Sequence, residues 1–379
     1  AGHYREAERT LLSALEATRS LPRPERRASL MIRLGRTYQQ AGRFADAERL
    51  FEELYPALER QGFRELAAAC RYHLGNLARR AHRLPEALAH HGAALEARRD
   101  LGLTLDTCAS LTALGSLSAA LGNYPKALHY YDEAVGLATG SSSGGRELSY
   151  ALLGKARVLG RIGDAVAATP LLRQARELRE SREDRPGETI ARLALAQNLF
   201  DLGQDDRAFE EAGRARFELE LLSFASLVAD ADQLLGRIQL RRRRFDEARQ
   251  HLAAARETHL RTEELEAVAF DEAWLLEAAL STDQSNAAER SLRALLDRRA
   301  RLERPELAER LDYRIFRGLD WLAARNVPAE EARPYLERAY EQVLAKAGHL
   351  APELRHRFLL EVPANREIVE AATRLGIAG

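Results

Sequence analysis

Histidine is the side chain in this sequence best suited to metal binding or acid–base catalysis, and two pairs have a spacing worth considering. His90 and His91 are adjacent, and because neighbouring residues of a helix point about 100° apart, we do not expect them to hold one metal ion. We expect His91 to pack inside the fold and His90 to face solvent. His349 and His356 are seven residues apart and could share a helix face, but no third ligand accompanies them. The histidines therefore predict no metal site.

A nucleophilic thiol is the second chemistry that the residue types allow. His73 lies about one helical turn after Cys70, yet a catalytic pair would also need an oxyanion site. The only other cysteine, Cys108, does not add a disulfide framework, so both are expected to be buried thiols of a reducing compartment. Phosphate-loop, GxGxxG, GxSxG and HExxH motifs are absent. We expect a cytoplasmic protein without enzymatic activity and without a cofactor.

Charge is balanced over the chain, which argues against a nucleic-acid or membrane partner. Lys and Arg total 57, as do Asp and Glu, whereas nucleic-acid binders carry a basic excess or stripe. The one dense basic run, Arg241 to Arg244, falls between two expected helices and is interpreted as solvated. Asp230 and Asp232 do not share a helix face and are also interpreted as solvated. No apolar run approaches the ~20 residues that cross a bilayer.

An internal repeat of about 40 residues organises the chain and must position any binding residues. Turn segments such as AGRFADA (41–47), AHRLPEA (81–87) and LGNYPKA (121–127) recur along the sequence. Their last alanines are spaced by 40 residues, with one interval of 41: Ala7, Ala47, Ala87, Ala127, Ala168, Ala208 and Ala248. Degenerate copies end near Ala288 and Ala332. Such a period is typical of stacked helical repeats.

Small residues at fixed positions indicate how the two helices of each repeat pack. One small residue lies twelve positions before the alanine: Gly35, Gly75, Gly115, Ala156, Ala196 and Gly236. Four positions after the alanine stands a larger side chain, such as Phe51, His91, Tyr131, Leu172 or Leu252. Small residues let two helix backbones approach closely, and the larger ones fill the remaining space. We expect helix A, a tight turn, helix B and a longer connector in each repeat.

This pattern resembles the tetratricopeptide repeat, in the longer 40-residue form of LGN/Pins scaffolds and MalT-like bacterial regulators. The resemblance implies an all-α fold, a right-handed superhelical α-solenoid of antiparallel helix pairs. It places the second helix of a truncated repeat at 1–27, regular repeats at 28–300, and a degenerate repeat with capping helices at 301–379. The pattern weakens after about residue 270, and residues 139–145 are expected to form a mobile loop. Because Ala1 and Gly2 fall in the turn phase of the repeat, we expect further chain before them.

The resemblance also implies that helix A lines the concave groove, with the ninth residue of each repeat pointing inward. That column, with neighbours one turn away, gives the candidate partner-binding residues: Arg36, Gln39, Tyr72, Asn76, Arg79, Ser116, Arg157, Gln197 and Arg237. Amides can bond the backbone of an extended peptide, and guanidinium groups can bind carboxylate or phosphate. The column is therefore expected to suit an extended, acidic segment, unless its polar residues only solvate a wide groove.

Two functions follow from the resemblance. In the first, the chain is a protein- or peptide-binding scaffold or sensor of a larger signalling protein, whose partner is another protein or an output domain of the same polypeptide. In the second, it is a MalT-like array that senses a small ligand and changes curvature. The second predicts a compact pocket lined by aromatic residues such as Tyr72, Tyr150, Phe200 or Trp321.

Overall fold

The computed structural model describes residues 2–19, 23–141, 143–303, 305–327 and 331–378, and within these ranges the chain is helical without a strand. Ala1 and Ser142, on which parts of two sequence predictions fall, lie outside them. The predicted all-α fold of stacked helix pairs is confirmed. The described helices are α1 (Gly2–Ala17), α2 (Pro24–Gln40), α3 (Phe44–Gln61), α4 (Arg64–Arg80), α5 (Leu84–Asp100), α6 (Thr104–Ala120), α7 (Tyr124–Thr139), α8 (Gly145–Arg161), α9 (Ala165–Glu180), α10 (Arg185–Asp201), α11 (Asp205–Leu221), α12 (Ala225–Arg241), α13 (Phe245–Arg261), α14 (Leu265–Ser281), α15 (Ser285–Arg301), α16 (Ala308–Ala323), α17 (Arg333–Gly348), α18 (Pro352–Leu360) and α19 (Pro363–Arg374).

The helices follow a spacing of half the sequence repeat. From α2 to α7 they begin at residues 24, 44, 64, 84, 104 and 124, and from α8 to α15 at residues 145 to 285, again every 20 residues. The one longer step contains the segment 140–144, which accounts for the single 41-residue interval in the sequence. The prediction of a longer connector after helix B is wrong, because the connectors 62–63 and 101–103 are as short as the A-to-B turns 41–43 and 81–83.

A left-handed residue ends most of these helices and explains why both connectors are short. Gly42, Gly62, Gly102 and Gly122 have φ between 68° and 77°. The next residue then bonds back to the helix, as in Phe63 N–H to the Leu58 carbonyl at 3.0 Å. This arrangement satisfies carbonyl groups that the helix end leaves free. The same conformation recurs without glycine in later turns, as at Arg243 and Glu263. For a residue with a Cβ atom, this left-handed backbone conformation costs roughly 1–2 kcal/mol.

Close approach of helices A and B depends on the glycines that the sequence pattern identified. A Cβ atom on Gly75 would lie 2.7 Å from the His91 ring, and one on Gly115 would lie 2.9 Å from the Tyr131 ring. The anchor alanines from Ala47 to Ala288 are all 0% exposed. The predicted packing of a large side chain over a small residue, including burial of His91, is confirmed.

Helix geometry stays regular where the sequence pattern weakens. Both α14 and α15 have 17 residues, like most earlier helices. The small residue missing from α14 is replaced by Gly318 of α16, where a Cβ atom would lie 3.0 Å from Leu276 and 3.1 Å from Leu292. Close packing of α14 against α16 thus depends on a glycine of α16 where α14 has a leucine.

Two compact units divide the chain. Unit 1 comprises residues 1–119 and 129–151, and unit 2 comprises residues 120–128 and 152–379. Within unit 2 the C-terminal helices contact the start of α7, where the Tyr124 and Phe358 rings are 5.8 Å apart.

Candidate binding surface on the A helices

In unit 1, three of the predicted groove residues line one cavity. Gln39 at the end of α2 and Asn76 and Arg79 of α4 border a volume of about 430 Å³, together with Phe44, Leu77, Arg80 and His82. The sequence repeat brings these residues together, because successive A helices pack side by side and present equivalent positions on one face.

The hydrogen-bonding groups at this cavity are largely unused. Gln39 Nε2 donates to the His73 carbonyl oxygen at 3.3 Å, which leaves its own amide oxygen free to accept. Asn76 is half-buried and, among the described residues, its amide has no hydrogen-bond partner. Arg36 and Arg79 are exposed and have no carboxylate partner in the described chain. Free amides flanked by unpaired guanidinium groups can bind backbone and carboxylate groups of a peptide.

Tyr72, another residue predicted for this surface, is half-buried, and its ring packs against neighbouring side chains. Its ring lies 5.2 Å from the His91 ring, and the Arg98 guanidinium carbon is 4.5 Å above it. Arg98 is only 4% exposed and donates to the Asp106 carbonyl and to Ser110 Oγ. Ser116, the remaining candidate in unit 1, is half-buried on α6.

Two thiols and two histidines of unit 1, Cys70, Cys108, His73 and His91, have pKa values that favour their neutral forms. Burial raises the pKa of the Cys70 thiol to about 12 and, with a smaller contribution from Glu147, that of Cys108 to about 11. Burial, reinforced by nearby arginines, lowers the pKa of His73 and of His91 to about 3. His73 stacks on Phe51 at 5.1 Å instead of pairing with Cys70. This environment suits packing and disfavours thiolate chemistry.

In unit 2 the predicted column is partly occupied by its own hydrogen bonds. Arg237 Nη1 donates to Gln197 Oε1 at 2.8 Å, and Gln197 Nε2 donates to Asp201 Oδ1 at 2.8 Å. Glu277 accepts from Arg314 and Arg317. Arg157 is exposed on α8 and forms no ion pair within the described residues. In unit 2, Gln197 and Arg237 therefore already use hydrogen-bonding groups within the fold, whereas Arg157 does not.

The four aromatic residues predicted for a small-ligand pocket each lie under an arginine. Arg98 covers Tyr72, Arg146 lies 5.9 Å from the Tyr150 ring, Arg241 lies 3.7 Å from Phe200, and Arg325 lies 3.6 Å from Trp321. A guanidinium group on the ring face competes with a sugar or base that would stack there. This arrangement gives the small-ligand hypothesis less support than the peptide hypothesis.

A buried histidine–aspartate pair in unit 2 is the main feature that the sequence interpretation missed. His259 and Asp271 are both 0% exposed, with Nδ1 and Oδ2 2.6 Å apart, and Asp230 Oδ1 lies 3.5 Å from Nε2. The interpretation of Asp232 as solvated is wrong: it is 4% exposed and bonds Arg216 and His251.

Buried cations recur at the end of several B helices, and His259 is one of them. Arg98, Arg179, His259 and Arg299 occupy equivalent positions, separated by about one or two repeats, and bond the following helix or turn. Arg98 and Arg179 are buried, whereas Arg299 is half-buried. A cation in the last turn of a helix also interacts favourably with the helix dipole. The recurrence of basic residues at this position of the repeat was the sequence signal available for them.

Metal and membrane sites were also considered in the described ranges. There, no group of three or more His, Cys, Asp or Glu side chains is arranged to hold a metal ion. Of the helices in these ranges, none combines the length and apolar character required to cross a membrane.

Comparison with known proteins shows the fold. Residues 1–60 and 66–139 match the model of the tetratricopeptide repeat. The chain resembles a Rap protein complexed with competence and sporulation factor, at 14% identity and a TM-score of 0.61 over 93% of this chain and 99% of that one. It also resembles aspartyl phosphate phosphatase F from Bacillus subtilis, at 12% identity and a TM-score of 0.55 over 77% and 74% of the two chains.

A third structure, the apo form of RapI, has 10% identity and a TM-score of 0.53 over 80% of this chain and 99% of that one. No curated protein matches the sequence. At these identities the likeness establishes architecture alone. The match to the tetratricopeptide repeat is thus confined to residues 1–60 and 66–139, and the chain has the fold of a helical-repeat array.

Proposed function

We propose that the A-helix face of unit 1 binds an extended peptide segment of a partner protein. The observation that carries this proposal is the cavity bordered by Gln39, Asn76 and Arg79, in which the Asn76 amide has no partner within the described chain. An amide without a protein partner can donate to and accept from the backbone of an extended peptide.

The charge around this cavity favours a segment with acidic side chains. Arg36 and Arg79 are exposed and unpaired within the described ranges, and arginine can bind carboxylates with two parallel hydrogen bonds. The Rap structure that this fold resembles is complexed with competence and sporulation factor, so the same architecture can hold a ligand. Membership of the LGN/Pins- or MalT-like type, a cytoplasmic location and a role within a larger signalling protein are further parts of the proposal.

Peptide selection followed by amide truncation tests the surface. Peptides selected from a random display library on the wild-type chain should bind Asn76→Ala about tenfold more weakly, because one or two hydrogen bonds of roughly 1 kcal/mol each are lost. Asn286→Ala, which truncates an exposed amide on α15, is the matched control and should leave affinity unchanged. Equal binding of the selected peptides to wild type and Asn76→Ala would refute the assignment.

A further inference from the structure

Cationic side chains converge on the A-helix face of unit 2, and most have a carboxylate partner. Five such pairs are formed: Arg161–Glu306, Arg241–Asp205, Arg314–Glu277, Arg317–Glu277 and Lys346–Glu309. Arg237 of α12 and Arg310 of α16 differ from these. Arg237 donates only to the neutral amide of Gln197, and the Arg310 side chain has no hydrogen bond or ion pair among the described residues.

Arg237 and Arg310 are also the two arginines of this group with an orphaned buried atom. The Nε of each is buried without a hydrogen-bond partner in the described chain. Burial, opposed by the charge of Asp201 and reinforced by Arg310, Arg314 and Arg241, lowers the pKa of Arg237 to about 10. Like charges placed together with unsatisfied donors are unfavourable unless an anion joins them.

Aromatic rings hold the Arg237 guanidinium in place. Its carbon lies 4.9 Å from the Phe200 ring centre and 5.0 Å from the Trp274 ring centre, and Arg314 lies 4.5 Å from Trp274. Stacking between two rings fixes the planar donor group before a ligand arrives, so that less entropy is lost on binding.

From these contacts we infer that Arg237 of α12 and Arg310 of α16 form one oxyanion site beside Trp274 of α14, for a phosphate or carboxylate group. Both guanidinium groups can offer N–H donors to one such group, which would supply the negative charge that the fold leaves out. Asp201 is the opposing carboxylate nearby: it acts on both Arg237 and Arg310 through space and forms no ion pair with either arginine in the described chain. The site belongs to unit 2 and does not depend on the cavity of unit 1.

Thermal unfolding of the full chain tests the site with two probes. Inorganic phosphate and a synthetic peptide rich in aspartate, each compared at equal ionic strength with chloride or with an asparagine-substituted peptide, distinguish a free anion from a peptide carboxylate. The effective probe should raise the Tm of the wild type by about 2–4 °C at concentrations well above its Kd. Arg310→Gln and Arg237→Gln should lose this rise, while Arg310→Gln should fold normally because it removes like-charge repulsion.

Two further variants complete the test: one that should enlarge the rise in Tm, and a control substitution at an exposed arginine elsewhere in unit 2. Asp201→Asn retains an oxygen that accepts from Gln197 and removes the competing charge, so it should enlarge the rise in Tm. Arg293→Gln removes an arginine that is 80% exposed and paired with Glu289, and it should respond like the wild type. Equal rises in wild type and Arg310→Gln, or no rise with either probe, would overturn the proposal. Asn76→Ala should leave the rise in Tm intact. A failure of the unit 2 site can therefore be distinguished from a failure of the unit 1 surface.

Discussion

Lowering the pH from 7 to 4 is expected to destabilise unit 1 by several kcal/mol. His91 is buried and His73 is half-buried, and the pKa of each is lowered to about 3, by burial first and then by arginines that include Arg98. In the unfolded chain each histidine takes up a proton near pH 6.5. Stability is therefore complete above pH 6.5 and is lost as the pH falls toward 3, on the order of 1.4 kcal/mol per pH unit for each histidine.

Replacing His91 by phenylalanine should remove about half of this acid sensitivity and stabilise the chain at pH 7. Both ring nitrogens of His91 are buried without a partner in the described chain, and removing such a group recovers roughly 1–3 kcal/mol. Phenylalanine fits, because Phe51 and Tyr131 fill the equivalent space over Gly35 and Gly115. Urea unfolding followed by circular dichroism at pH 7, 6, 5 and 4 measures both effects.

An exposed histidine provides the control for that substitution. His356 lies on the surface of α18, and His356→Phe should change neither the stability at pH 7 nor the slope against pH. If His91→Phe were less stable than the wild type at pH 7, or equally sensitive to acid, the account of this buried ring would be wrong.

Replacing His259 by leucine is expected to cost about 3–5 kcal/mol, because it leaves the buried Asp271 carboxylate with Gln233 as its remaining donor. Replacing both His259 and Asp271 by leucine should restore most of the loss, since no buried charge remains. Chemical unfolding of the two single variants and the double variant measures the coupling. A double variant as unstable as His259→Leu would contradict a paired charge.

The same pair predicts a pH dependence opposite to that of unit 1. Burial alone lowers the pKa of His259, but the carboxylates of Asp230 and Asp271 outweigh it and raise the pKa to about 10. The stabilisation is complete below pH 6.5 and is lost as the pH rises through about 10. His251→Leu is the matched control for His259→Leu. Its partner Asp232 still pairs with Arg216, so the loss of unfolding free energy should be about 1 kcal/mol.

Features that depend on periodicity were predictable from the sequence. The spacing of Gly75 and Gly115 ahead of Ala87 and Ala127 identified both helices of each repeat and the packing of His91 over a glycine. Equivalent positions on successive A helices also brought Gln39, Asn76 and Arg79 together at one cavity. These predictions succeed because one local pattern repeats and each copy packs on its neighbours.

Features that depend on an individual pairing between helices were not predictable in this way. Asp232 looks solvated by spacing, but it is buried and accepts a hydrogen bond from Arg216 of the preceding B helix, as Asp271 pairs with His259. The B-to-A turns at Ser223 and Glu263 adopt the left-handed conformation without glycine, so no residue type marks these short connectors in the sequence. The role of Gly318 opposite Leu276 likewise required the packing of two A helices to be known.

Photo-crosslinking measures directly which face of unit 1 a bound peptide contacts. A photoreactive benzoylphenylalanine at position 79, at the cavity on α4, is compared with one at position 96, where Glu96 is exposed on the B helix α5. Peptides selected on the wild-type chain should crosslink from position 79 and not from position 96. Crosslinking from position 96 alone, or equally from both positions, would contradict a binding surface formed by the A helices.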